Sequence, residues 1–199
     1  MRLSKIDLNS LSLVSKQFLS ITHCLRSSII VKDATRPYLP RLFKRFTNLT
    51  SLDLSHYKYP LDELLCKIST FPLKQLTSLK LPLESDFPVN GLQAFSQTIT
   101  SLTSLTCSHA YFDNNHLLLL IADCFPLLKQ LNLSHPLFDP TYLDNIHING
   151  IQSLLSHSPY IQHLGLSYTC FLNDQHVADF FLLLPHLVSI NLTRCWKIT

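Results

Sequence analysis

The chain has 199 residues, enough for one domain with a sizeable core or for one domain behind a short leader. Leucine occurs 42 times and glycine three times, at Gly91, Gly150 and Gly165. Glycines this far apart cannot form the clustered turn that brings backbone N–H groups against phosphate, which excludes P-loop and dinucleotide-binding enzymes. The net charge of +3 divides unevenly, because residues 1–46 hold nine of the 16 Lys and Arg and two of the 13 acids. That basic end either faces an acidic partner or is a solvated helix face.

Mean hydropathy is +0.18, yet the longest apolar stretches, Leu117 to Ala122 and Phe180 to Leu184, fall far short of the ~20 residues of a spanning helix, so no membrane partner is expected. The six cysteines contain no C-x-x-C pair and the N-terminus lacks the apolar run of a secretory signal. Reduced thiols and a cytoplasmic or nuclear location are expected. Three N-x-S/T sequons, at Asn48, Asn132 and Asn191, lie beside or inside the leucine pattern and are read as structural.

In chain order, the first element is a helix. From Asp7 the apolar residues Leu8, Leu11, Val14, Phe18, Ile21 and Leu25 form one stripe that Asp7 can cap. Six copies of L-x-x-L-x-L then follow, as Leu49/Leu52/Leu54, Leu76/Leu79/Leu81, Leu102/Leu105/Cys107, Leu128/Leu131/Leu133, Ile161/Leu164/Leu166 and Leu187/Ile190/Leu192. The step from one start to the next is nearly constant, apart from one longer interval between the fourth and fifth copies. Each motif ends in an apolar–polar–apolar alternation, the pattern of a strand with one buried face.

The intervening segments carry helical spacing: Leu61, Leu64, Leu65 and Ile68; Leu117, Leu120, Ile121 and Cys124; Ile151, Leu154 and Leu155; Val177, Phe180, Phe181 and Leu184. Asn114 or Asn115 and Asn173 or Asp174 are the expected N-caps, and Pro72, Pro126, Pro159 and Pro185 mark helix exits. The long step from Leu128 to Ile161 adds a loop within Pro136 to Asp144, either a recognition element or a neutral insertion. Thr199 follows directly on the last strand with no capping segment, as expected of a fragment or a shortened gene product.

A strand and a helix recurring at so regular a step are the signature of a leucine-rich-repeat solenoid. The expected fold is α/β: a curved parallel sheet on the concave side and helices on the convex side, of about six repeats over residues 35–199, after a helical leader at 1–34. The leucines are framework. Between them, residues pointing away from the core offer a candidate substrate face of Asp53, Lys80, Thr106, Gln130, Asn132, His163 and Asn191.

This face is small, polar and nearly neutral, with neither a basic trough nor an aromatic platform, so no nucleic-acid partner is expected. His56, His109 and His135 recur at one repeat position but are too few ligands for a structural metal site. No Ser/His/Asp set or paired-carboxylate motif stands out. The chain is read as a non-enzyme without a cofactor.

Two stretches carry a family resemblance. Leu192-Thr193-Arg194-Cys195-Trp196-Lys197-Ile198-Thr199 resembles the L-x-x-C-x-x-I-T ending of cysteine-containing leucine-rich repeats, and Ala122-Asp123-Cys124-Phe125-Pro126-Leu127-Leu128-Lys129-Gln130-Leu131 is similar to their C-P-x-L-x-x-L junction. The run Asp7 to Ile21 resembles the second half of an F-box, D-L-x-x-L-S-L-V-x-K-x-F-x-x-I, and with Arg36 to Phe46 is similar to plant F-box/leucine-rich-repeat proteins. Cys170 sits one place off the repeat pattern, and the usual opening of an F-box has no room before Asp7.

The resemblance implies a substrate-recognition subunit of an SCF-type ubiquitin ligase. The leader, through Leu8, Leu11, Val14, Phe18 and Ile21, would dock the Skp adaptor and through it a cullin. The repeats would hold the protein to be ubiquitinated. A ligase-independent repeat scaffold and a non-functional truncated receptor are the alternatives.

Overall fold

The computed structural model describes residues 26–82, 87–108, 115–134 and 144–199. Seven strands alternate with helices: β1 (Ser28–Lys32), a 3-10 helix (Asp33–Tyr38), α1 (Leu39–Arg45), β2 (Ser51–His56), α2 (Leu61–Ile68), β3 (Ser78–Pro82), α3 (Val89–Thr98), β4 (Ser104–Ser108), α4 (Asn115–Cys124), β5 (Gln130–Asn132), α5 (Asp144–Ser156), β6 (His163–Gly165), α6 (Asp174–Leu183) and β7 (Ser189–Asn191). All pairings are parallel and the strands lie side by side in chain order. Each turn of the solenoid therefore leans only on its neighbours.

Registry follows from the motif. Ile29, Leu52, Leu79, Leu105, Leu131, Leu164 and Ile190 face one another across successive strands. Every framework residue of the first five motifs is buried, while Leu187, Ile190 and Leu192 of the last are only partly covered. Burial of each side chain contributes roughly 1.5–3 kcal/mol before the entropy of ordering is subtracted. Phe95 of α3 meets Phe125 edge-on at 6.4 Å between ring centres, tying two repeats together behind the sheet.

A second ladder stands at the strand entrances. The carbonyls of Ser27, Thr50, Thr77, Thr103, Lys129 and Gln162 each accept two consecutive N–H groups from the next repeat, at 2.8–3.0 Å. The Thr50, Thr77 and Thr103 hydroxyls add a third donor to the carbonyl of the preceding repeat. Strands of three to six residues are too short to hold register alone, and this ladder pins them.

The helices pack through specific devices. The Asp62 carboxylate of α2 accepts the Gly91 N–H at 2.8 Å and the Asn90 side-chain amide at 3.2 Å, so it caps the first turn of α3 from the neighbouring repeat. A Cβ on Gly91 would lie 2.9 Å from both Asp62 Cα and Leu65 Cβ, so this contact requires glycine. Asn173 caps α6 as expected, accepting from the His176 N–H while its own N–H donates to His176 Nδ1.

Several expectations are corrected. Among the described residues the sheet has seven strands: β2–β7 carry the six motifs expected over 35–199, and β1 is added to them from inside the span read as leader. Its motif position for the first leucine is held by Arg26, whose guanidinium stacks 5.3 Å from the Phe46 ring. In α4 the buried residues are Leu118, Ile121 and Ala122, with Leu117, Leu120 and Cys124 only partly covered. In α6, Phe180 is buried but Phe181 is 55% exposed.

Of the sulfurs, Cys107 and Cys195 are buried and Cys170 is exposed. The helix expected at 7–25 with Leu8, Leu11, Val14, Phe18 and Ile21, the insertion up to Leu143, His109, His135 and Asn114 lie outside the described residues.

Candidate functional site

The strand residues between the framework leucines form two adjacent rows across the open face of the sheet, opposite the helices. One row runs Asp53, Lys80, Thr106, Asn132, Gly165 and Asn191, and the next runs Ser51, Ser78, Ser104, Gln130, His163 and Ser189. All seven residues of the candidate substrate face therefore lie in two neighbouring lines. Over β4–β7 the rows enclose a shallow trough of about 430 Å³ that includes Thr106, Gln130, Asn132, His163 and Asn191. Asp53 and Lys80 stand outside it, paired with each other at 3.9 Å.

A short turn fixes three side chains of the first row. Asp53 Oδ1 accepts the Ser55 N–H at 2.9 Å, Asn132 Oδ1 that of Ser134 at 2.9 Å, and Asn191 Oδ1 that of Thr193 at 3.1 Å. Asn132 and Asn191 thus close the turns that end their own strands, while Asp53 makes the same bond within β2. The recurring D/N-L-S/T triplet is the signal that sequence reading passed over, because two copies were seen only as sequons. Tyr168 and Arg194 take left-handed backbone angles at equivalent repeat positions, with φ of 62° and 64°, Arg194 directly after the Asn191 turn.

Gly165 occupies the middle of the trough. A Cβ there would stand 2.7 Å from Asn132 Oδ1 and 2.8 Å from Asn132 Cγ, because the Asn132 amide leans across from β5. In the second row His163 Nδ1 and Ser189 Oγ are 2.8 Å apart. The trough lining contains no carboxylate, ammonium or guanidinium.

Basic residues gather instead at the first turn, where aromatic rings hold several of them. Arg36 lies 4.4 Å from the Tyr59 ring, and Arg26 and Arg45 lie within 5.3 Å of Phe46. At the opposite end Asp174 of α6 accepts the Thr199 N–H at 3.1 Å and the Thr199 hydroxyl at 2.7 Å. Both bonds hold its carboxyl below the usual carboxylate range. Burial pushes the Cys107 and Cys195 thiols up, away from nucleophilic thiolate. Among the described residues no cluster of His, Cys, Asp or Glu is arranged to hold a metal ion, and no helix is long and apolar enough to cross a membrane.

The fold is similar to that of a solved leucine-rich-repeat structure. The leucine-rich repeat-containing protein LegL7 from Legionella pneumophila superposes with a TM-score of 0.58 at 16% identity, over 94% of this chain and 60% of that one. This chain thus spans about three fifths of that protein's length. The tropomodulin C-terminal domain from Caenorhabditis elegans gives a TM-score of 0.45 at 12% identity, over 90% and 89% of the two chains. No family model and no curated protein matches the sequence. The likeness establishes a leucine-rich-repeat fold.

Proposed function

We propose that this leucine-rich-repeat protein is a recognition module, binding another protein on the open face of β4–β7, and that it serves as the substrate-recognition subunit of an SCF-type ubiquitin ligase. The carrying observation is the trough itself: aligned hydrogen-bonding side chains on the open face of the sheet, with no carboxylate, ammonium or guanidinium among them. The ligase assignment rests on the F-box-like run from Asp7 to Ile21. In this reading Leu8, Leu11, Val14, Phe18 and Ile21 engage the Skp adaptor, and Thr106, Gln130, Asn132, His163 and Asn191 engage the substrate. Asp53 and Lys80 extend that surface toward β2.

The test is co-purification of the whole chain with the Skp adaptor, beside Leu11→Asp and Phe18→Asp variants. Adaptor binding that is lost in both variants, with unchanged circular dichroism, supports the ligase role. No adaptor binding by the unaltered chain contradicts it and leaves the second reading, a ligase-independent scaffold, which is favoured by the placement of every described strand, including β1, within the solenoid. Deletion of residues 1–34 is a poorer test, because it removes β1 and the Ser27 carbonyl that anchors β2.

A further inference from the structure

The trough's hydrogen-bonding polarity is set by the turns beneath it. Asn132 and Asn191 both spend Oδ1 on their own backbone, and only an oxygen can accept from an N–H, so each amide's orientation is fixed. Each Nδ2 is left as a pair of donors, and among the described residues no group accepts from either. On this row the trough therefore presents NH2 donors on both sides of Gly165, which contributes no side chain. A ligand that satisfies it must bring acceptors, and the lining offers no charged side chain to pair with an ionic one.

Spacing narrows the ligand further. Both amides are held by the same turn, so they are related by two strand steps, about 9.4–9.8 Å at the usual ~4.7–4.9 Å between strands. One full turn of a polyproline II helix, three residues at about 3.1 Å, advances roughly 9.3 Å and returns a carbonyl to the same side. In an extended β-strand, carbonyls on one side recur every ~6.6–6.8 Å, which fits neither one strand step nor two.

Resting on the recognition role proposed above, we infer that the trough of β4–β7 binds an uncharged peptide segment in polyproline II conformation. The segment crosses the strands and sets backbone carbonyls i and i+3 on the Asn132 and Asn191 amides.

The probe is N- and C-capped nonaproline, which has acceptors, no backbone donors and the required conformation, titrated into the isotope-labelled full chain. The expected result is saturable shifts of the Asn132 and Asn191 side-chain amides and of the Gly165 backbone amide. A capped Gly-Ser nonapeptide should bind at least fivefold more weakly. The double variant Asn132→Asp/Asn191→Asp keeps both turn-closing oxygens, as the Asp53 carboxylate keeps the same bond to the N–H two residues on, but replaces both donors with acceptors. It should weaken nonaproline at least tenfold with an unchanged melting temperature.

Absence of shifts with nonaproline, equal binding by the double variant, or shifts with neutral maltohexaose in place of nonaproline would each overturn the inference. None of these touches the adaptor result, so a wrong ligand class is distinguishable from a wrong function.

Discussion

Replacing Gly165 with alanine tests whether a side chain from the neighbouring repeat dictates glycine in the trough. The new Cβ would sit 2.7 Å from Asn132 Oδ1, closer than folded proteins tolerate, so the Asn132 amide must swing away. That swing breaks its 2.9 Å bond to the Ser134 N–H, a donor at a residue only 5% exposed. An unsatisfied buried donor costs about 1–3 kcal/mol. Against this, Gly→Ala reduces the freedom of the unfolded chain and contributes about 0.4–1 kcal/mol.

The net expectation is a loss of about 0–2.6 kcal/mol, centred on about 1.3 kcal/mol, a fall of a few degrees in melting temperature for a chain of this size. Urea unfolding of a double-mutant cycle isolates the cause. In an Asn132→Ala background the clash and the bond are both gone, so the cost of Gly165→Ala should vanish. An equal cost in both backgrounds would refute the proposed coupling between β5 and β6.

Other substitutions probe the remaining devices. Gly91→Ala should destabilise by about 1–3 kcal/mol despite its helical site, because the Cβ meets the Asp62 backbone, which cannot rotate away; a gain in denaturation midpoint would contradict that packing. Leu118→Ala should cost about 2–5 kcal/mol and the half-buried Leu119→Ala less, measured by the same unfolding assay, with the reverse order placing the other face of α4 inward. The Thr199 bonds lower the Asp174 carboxyl, so their contribution is intact above its ordinary value of 3.8 and is lost as pH falls below that through the lowered folded value. The Thr199 amide resonance should therefore hold steady from neutral pH down to about 4 and move only below it; a midpoint above 4 would contradict the clamp.

The framework was readable from sequence because leucine columns need only a period. Leu52, Leu79 and Leu105 had to align once their motifs recurred at a nearly constant step. β1 escaped because Arg26 replaces the motif's first leucine, and its guanidinium rests on Phe46 in place of filling the core. The run Leu117 to Leu120 offers no polar residue to set a helical phase, so which leucine turns inward is decided by the repeats on either side.

The candidate face was legible as alternating positions, and both of its rows appear. What local sequence could not show is the coupling between neighbouring strands: the need for glycine at 165 comes from Asn132, one repeat earlier in the chain and one strand away in the sheet. Nor does a sequon announce that its amide oxygen is already committed to closing a turn.

The most direct test of the open face as the recognition surface is site-specific photocrosslinking of the whole chain in cells. Benzoylphenylalanine would replace Ser189 on β7 in one variant and Gln97, exposed on α3, in another. A discrete crosslinked partner from position 189 and none from position 97 is the predicted result. A partner captured only from position 97 would place recognition on the helices and contradict it.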